Sequence, residues 1–151
     1  GLDGFQEGYG DLVSELTSVM QLTETDMTIL FRTLSTIQEP DSNHLTRAFY
    51  KEEEIPKNEW NSWLDRWWDR VDGRPDRESM LNANPKYVLR NWMAQLAIDA
   101  AEKEDYSVAT ALYEMLKKPY EEQPGNEEKW FSRRPEWARN RVGCSMLSCS
   151  S

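Results

Sequence analysis

Apolar residues recur at helical spacing through most of the chain. Leu12, Val13, Leu16, Val19 and Met20 fall at i, i+1, i+4, i+7 and i+8, which predicts an amphipathic helix over 11–20. Thr23-Glu24-Thr25-Asp26 offers a side-chain N-cap with an acid three residues on, and Met27, Leu30, Phe31, Leu34 and Ile37 continue a second helix over 26–38, stopped at Glu39-Pro40. These two read as a helical hairpin. Between the polar Asp41-Ser42-Asn43 and the acidic run Glu52-Glu53-Glu54, the residues Leu45, Ala48, Phe49 and Tyr50 are enough for one or two turns of helix.

Pro56 is suited to a first helical position, and Trp60, Trp63, Leu64, Trp67 and Val71 behind it lie at i, i+3, i+4, i+7 and i+11, predicting a helix over 57–71. Three tryptophans share its face. Each buries about 150–250 Å², a gross stabilisation of roughly 4–6 kcal/mol before conformational entropy is set against it. Trp68 lies off that stripe, at a boundary or on a surface that meets something else. After the breaker Asp72-Gly73-Arg74-Pro75, Asn84-Pro85 offers an N-cap and a first-turn proline for a long, deeply buried helix over 85–103, carrying Tyr87, Val88, Leu89, Trp92, Met93, Leu96, Ala97 and Ala100. Tyr106, Ala109, Leu112, Tyr113 and Leu116 predict a further helix over 106–117, antiparallel to it and closed by Lys117-Lys118-Pro119. Beyond Pro119 the period stops, Pro124-Gly125 reads as a turn, and Trp130, Phe131 and Trp137 are left to anchor an irregular tail.

No segment alternates like a strand, so the expected fold is all-α: a multi-helix orthogonal or antiparallel bundle with a helical core over 1–118 and an irregular, aromatic-anchored tail over 119–151. At 151 residues the chain has the length of one ordinary domain. It has no apolar run near the roughly 18 residues of a membrane helix, so no membrane partner is expected. Its first residues show no basic and apolar sequence of a secretory signal. Charge adds an asymmetry: residues 1–62 carry 12 Asp and Glu against 4 Lys and Arg, whereas 63–151 carry 15 against 14, within a net charge of −9. That sign repels phosphate backbones and argues against a nucleic-acid partner. The local basic segment Lys129, Arg133, Arg134, Arg139 and Arg141 reads instead as a strip that docks on an acidic surface of its own fold.

Catalytic constellations are scarce. His44 is the only histidine and lies in a polar linker, where it reads as a solvated bystander, so no histidine-based metal site or nucleophile pair is expected. Two cysteines without other soft ligands make no tetrahedral zinc site. Gly8-Tyr9-Gly10 lacks the third glycine, the preceding strand and the lysine of a phosphate-cradling loop. The run Glu52 to Glu54 reads as a solvated surface. Cys144 and Cys149 stand out by position, Cys149 being followed only by Ser150-Ser151. A thiol there suits thiol–disulfide exchange better than packing, and the four residues between the two cysteines leave open whether they pair with each other.

Four segments carry a family resemblance. Asn84-Pro85-Lys86-Tyr87-Val88-Leu89-Arg90-Asn91-Trp92, then Ala97-Ile98 with Ala100-Ala101-Glu102, then Pro119-Tyr120-Glu121-Glu122-Gln123-Pro124-Gly125, and finally Cys149-Ser150-Ser151 resemble in order the C-terminal region of the selenoprotein O family. Phe31-Arg32-Thr33-Leu34-Ser35 resembles a weaker upstream piece, so the likeness covers about residues 26–151. The resemblance implies the helical C-terminal part of a kinase-like C-lobe, in a pseudokinase-fold protein adenylyltransferase that moves AMP from ATP to hydroxyl side chains of protein substrates with Mg or Mn. The family's glycine-rich loop, phosphate-binding lysine with its glutamate, and metal-binding Asn and Asp have no matching positions here. No catalytic or cofactor-binding residue, and no bound ATP or metal, is therefore carried over to this chain.

What the resemblance does carry over is a redox-regulatory thiol at Cys149, which matches a family cysteine or selenocysteine third from the end. A family motif that pairs it with a second cysteine puts the partner at Met146; this chain has Cys144 instead. The resemblance also implies a partner, the remainder of the kinase-like domain, and a compartment, the cytoplasm if the source is bacterial and the mitochondrion if eukaryotic. Two other readings stand beside it. One is a free-standing helical interaction module using Trp68, Trp130 and Trp137. The other is a small thiol oxidoreductase using Cys144 and Cys149.

Overall fold

The structure is a computed structural model, and it describes residues 7–144. It is helical throughout. No strand runs through the described residues, and an isolated antiparallel bridge joins Thr25 and Phe49. The chain divides into two compact units, Gly1–Asn84 and Pro85–Ser151.

The first unit is built around α3 (Lys57–Arg70), with Pro56 at its N-cap. Trp60, Leu64, Trp63 and Trp67 are buried, as the stripe predicts. The rings form a continuous chain. Phe49 tilts against Trp60, Trp60 meets Trp63 edge-on, and Trp63 stacks on Trp67 at 5.9 Å between centroids and 4° between planes. Helix α1 (Tyr9–Met20) buries Leu12, Leu16 and Val19 and packs on α3, where Trp63 Nε1 donates to the Leu12 carbonyl at 2.9 Å. The seam satisfies a polar atom that burial would otherwise penalise.

Helix α2 (Met27–Leu34) starts one residue later than its pattern predicts and stops four residues earlier. Its N-cap is Asp26, which accepts from the Ile29 N–H at 3.1 Å; Thr23 is buried elsewhere, and its hydroxyl has no hydrogen-bond partner. The expected Thr23 cap is thus corrected to Asp26. The reason is tertiary: the Asp26 N–H donates to Ala48 O at 2.7 Å and the Tyr50 N–H to Glu24 O at 3.1 Å, so residues 24–26 are held extended. The segment 42–48 is a 3-10 helix, capped by Asp41 through the Asn43 N–H, that buries Leu45 and Ala48 against α2. Glu52–Glu54 form a second short 3-10 turn whose side chains are exposed.

After the α3 C-terminus, Gly73 adopts a left-handed φ of +63° beside the half-buried Trp68. The pattern of apolar residues did not predict the next element, α4 (Arg77–Ala83). It is marked instead by a cap: Asp76 accepts from the Ser79 N–H at 3.0 Å and from its hydroxyl at 2.7 Å. Arg77 then donates to Ile37 O at 2.8 Å and ties α4 to the end of α2.

In the second unit the helix expected over 85–103 begins only at Asn91, as α5 (Asn91–Ala101). Residues 85–90 are non-helical because the Lys86 and Tyr87 N–H groups both donate to Pro119 O, at 2.8 and 3.0 Å. The Asn84 that suggested an N-cap is the C-cap of α4, its N–H and Nδ2 both donating to Met80 O at 2.9 Å. Nor is α5 deeply buried, since within it only Trp92 and Met93 are. Helix α6 (Ser107–Leu116) packs on α5 and buries Leu112 and Met115. Pro124-Gly125, read as a turn, opens a short helix α7 (Pro124–Trp130) instead. A proline is tolerated at the first helical position because the missing N–H has no partner there anyway. The aromatics anchor this stretch: Trp130 stacks on Trp92 at 5.9 Å and Phe131 meets Tyr87 edge-on at 6.5 Å.

Candidate functional site

A buried polar cluster in the second unit joins two of the segments that carry the family resemblance. Lys86 is only 5% exposed, and its ammonium bridges the carboxylates of Glu122 and Glu127, the latter at 2.8 Å. The same Nζ sits 5.1 Å from the centre of the Phe131 ring. Tyr87, equally buried, donates its hydroxyl to Gln123 O at 3.0 Å. Gln123 in turn spends its amide on Met115 O and Lys118 O at the end of α6. Arg90 donates to Ser132 O at 2.9 Å. The stretch 84–92 and the stretch 119–125, remote in sequence, are two halves of one clamp.

Burial alone would lower the Lys86 pKa, but the hydrogen bonds to Glu122 and Glu127, with their charges, outweigh it and hold it above the ordinary lysine value. Burial likewise pushes the Tyr87 phenol up. Both groups are therefore fixed in their protonated forms at neutral pH. A permanently charged lysine and a neutral tyrosine whose donors are already committed serve to position backbone, not to take up a substrate proton.

A second buried cation, Arg32, belongs to the first unit. At 5% exposure it donates to Leu81 O at 3.0 Å and Asn84 O at 2.9 Å, neutralising carbonyls at the end of α4. Asn84 Nδ2 reaches the buried Ser35 hydroxyl at 3.3 Å. The stretch 31–35 is thus the seat of α4.

The structure distributes the remaining candidates. His44 is exposed and faces Glu39 at 3.3 Å. Cys144 is buried at 7% exposure, with its carbonyl accepting from Asn91 Nδ2 at 3.3 Å. Cys149 lies outside the described residues. Trp130, expected as an anchor of the tail and only in the module reading as a docking aromatic, is buried in the stack with Trp92; Trp68 is half-buried and Trp137 is 44% exposed. In the basic segment Arg141 pairs with Asp99 at 2.7 Å, Arg139 with Glu136 at 3.4 Å, and Lys129 lies over Trp130.

The hollow at the start of α1 does not suit a phosphate. Gly8, with φ +86°, is the N-cap of α1, but the hollow beside it is lined by Asp11 and Glu15, whose charge opposes a phosphate. Its arginines are engaged: Arg66 pairs with Glu15 at 3.0 Å, and Arg70 donates to Glu7 O and lies over the Tyr9 ring. No group of three or more His, Cys, Asp and Glu among the described residues is arranged to hold a metal ion. Another hollow of the first unit, about 190 Å³, is walled by Leu12, Leu16, Leu34, Trp63, Trp67 and Met80 and offers no polar chemistry. Among the described residues no helix is long and apolar enough to cross a membrane.

In the sequence Lys86, Glu122 and Arg32 stand within the motifs with nothing local to mark their roles, and Tyr87 reads as one of a run of apolar positions. The signal for Lys86 was a lone lysine at the head of a strongly apolar stretch, but its partners lie 36 and 41 residues away.

Comparison with known proteins agrees with the motifs. A family model described as "Protein adenylyltransferase SelO" matches residues 2–117. The chain is 50% identical to the "Protein nucleotidyltransferase YdiU" of Flavobacterium johnsoniae, 42% to that of Aromatoleum aromaticum and 43% to that of Rhodopirellula baltica. Each alignment covers the whole of this chain, and it spans 31%, 30% and 32% of the respective relative. Segments that meet as a clamp in space, a family model matching most of the chain and identities of this size lead to one assignment: the chain belongs to the SelO family of protein adenylyltransferases.

Proposed function

We propose that this chain is the C-terminal helical region of a SelO-type protein adenylyltransferase, a scaffold that takes part in AMP transfer from ATP to protein hydroxyls without holding the nucleotide itself. The observation that carries this is the pairing of full coverage on this side with about a third on the other: relatives named as protein nucleotidyltransferases align over all of the chain, yet the chain accounts for 31% of the first of them. The nucleotide, Mg or Mn, and the residues that hold them are assigned to the other part of such a polypeptide. That part and the protein substrates are the partners of this region. The described residues contribute order: Arg32 seats α4, and Lys86 and Tyr87 lock α5, α6 and α7 to one another.

The test compares two proteins. One is the 151-residue chain, the other the Flavobacterium johnsoniae relative with its matching segment replaced by this chain. With labelled ATP, Mg or Mn and a protein acceptor, the chain alone is expected to transfer no label and the chimera to transfer it. Labelling by the chain alone, or none by a folded chimera, overturns the proposal. Cys149 is assigned the redox-regulatory role within the same reading, on the strength of the resemblance. Accordingly Cys149→Ser should abolish any difference in the chimera's activity between reduced and oxidised glutathione, and Cys144→Ser should leave that difference in place.

A further inference from the structure

Residues 141–144 form a strap fixed to α5 at both ends. Arg141 donates to Asp99 Oδ1 at 2.7 Å, an oxygen that also accepts from Gln95 Nε2 at 2.8 Å, and Asn91 Nδ2 donates to Cys144 O at 3.3 Å. Asn91, Gln95 and Asp99 stand at i, i+4 and i+8, so the strap follows one line of the helix surface, antiparallel to it. Gly143 permits the close approach. Its φ is +84°, and a Cβ there would lie 3.1 Å from Gln95 Oε1. The turn is closed by the Cys144 N–H, which donates to Arg141 O at 3.1 Å.

The strap carries a thiol at its end. Cys144 is a free cysteine and is buried, whereas Arg141 and Val142 just before it are exposed. Thiol–disulfide exchange requires a thiolate with access to the attacked sulfur, and burial denies that access and disfavours the thiolate. The fastening of the strap is less protected than the thiol, because the Arg141 and Asp99 side chains keep 40% and 33% of their surface in water. Salt and single substitutions can therefore open it without disturbing a core.

We propose that the 141–144 strap is a latch that withholds Cys144 from thiol exchange, so that Cys144 and Cys149 pair with each other only after the Arg141–Asp99 contact has opened. The step is an exchange with oxidised glutathione. The Cys149 thiolate takes one glutathione sulfur and releases the other as reduced glutathione; the Cys144 thiolate, once freed, attacks the Cys149 sulfur of that mixed disulfide and releases the second. Two protein thiols are oxidised, one glutathione disulfide is reduced, and the two thiol protons end on the released glutathiones. The inference deepens the reading of Cys149 as a redox thiol and rests on it for the second half of this exchange.

Alkylation of Cys144 by iodoacetamide in the full 151-residue chain, read by mass spectrometry, tests the latch. Cys144 should react at least about tenfold more slowly in the folded chain than in urea, as a buried thiol does. Arg141→Gln, which removes the ion pair, and Gly143→Ala, which lifts the backbone off Gln95, should each raise the folded-state rate by about fivefold or more. In the unsubstituted chain about 1 M NaCl should raise it too, since that salt screens an exposed pair within about 3 Å. Equal rates in the folded and urea-unfolded chain overturn the latch, and so does a slow rate that neither the substitutions nor salt can move. With oxidised glutathione, Arg141→Gln should accumulate the Cys144–Cys149 disulfide faster than the unsubstituted chain; equal accumulation overturns the gating of the pair. The two readings fail separately. A chimera whose glutathione response survives Cys149→Ser sinks the redox role of Cys149, whereas the alkylation of Cys144 decides the latch without reference to AMP transfer.

Discussion

Three residues show how far a single side chain decides local structure here. Arg32 is buried at 5% exposure and donates to two carbonyls some fifty residues away. Arg32→Met should cost about 2 kcal/mol, the usual penalty for leaving buried carbonyls unpaired, and urea denaturation with hydrogen exchange over 77–84 should show α4 loosening first. Gly73 needs its left-handed φ of +63°, and a Cβ there would lie 3.3 Å from Trp68 Nε1. Gly73→Ala is therefore expected to destabilise by about 1 kcal/mol or more, visible as a lower denaturation midpoint with an unchanged slope. Trp63 combines packing with a donor: Trp63→Phe removes the bond to Leu12 O and leaves a void beside an existing apolar hollow, a loss of roughly 2–3 kcal/mol.

At the scale of elements, the stripe of Trp60, Trp63, Leu64 and Trp67 identified α3 to within a residue, because burial of large rings dominates every competing preference along it. Boundaries governed by hydrogen bonds to distant residues were not readable. Asp26 rather than Thr23 caps α2 because the bridge to Ala48 and Tyr50 fixes the entry, and α5 starts at Asn91 rather than Pro85 because Pro119 O takes the Lys86 and Tyr87 N–H groups. The clamp formed by Lys86 with Glu122 and Glu127 gives an element-level prediction. Its folded-state pKa is raised, so its contribution is complete below about pH 10, the unfolded value, and is lost as the pH climbs through the folded one. The raised Tyr87 phenol works in the same direction. Thermal melts between pH 7 and 11 should therefore fall at the alkaline end, and Lys86→Met should flatten that fall. At pH 7 the same variant should cost about 2 kcal/mol, less than a fully buried pair because Glu122 and Glu127, 62% and 39% exposed, can regain water.

For the whole molecule, charge and coverage sort the two units. Residues 1–84 hold 17 Asp and Glu against 8 Lys and Arg and so account for the whole net charge of −9, while 85–151 are neutral. The acidic unit has its ring-stacked core around Trp63 and Trp67, and the neutral one its stacked pair Trp92 and Trp130. If the nucleotide belongs to the other part of the longer polypeptide, ATP with Mg should not stabilise this chain. A ligand at a hundred times its Kd would add about 2.7 kcal/mol and raise the melting temperature by several degrees. A flat thermal-shift titration is expected, and a rise of that size would place a nucleotide site in this chain after all.

What the sequence determined by itself was the class and the kinship. Helical periodicity is a local property, written in residues three and four apart, and the motifs around Asn84 and Pro119 are local strings. They sufficed for an all-helical fold and for the SelO family. Tertiary structure alone decided which donors met which carbonyls, that the two motif strings are halves of one clamp around Lys86, and that of the apolar residues of α5 Trp92 and Met93 are buried while Ile98 is left outside. Those outcomes depend on groups 36 to 53 residues apart. A linear pattern carries no information about such pairings until the chain has folded and burial has set the cost of leaving each polar group unpaired.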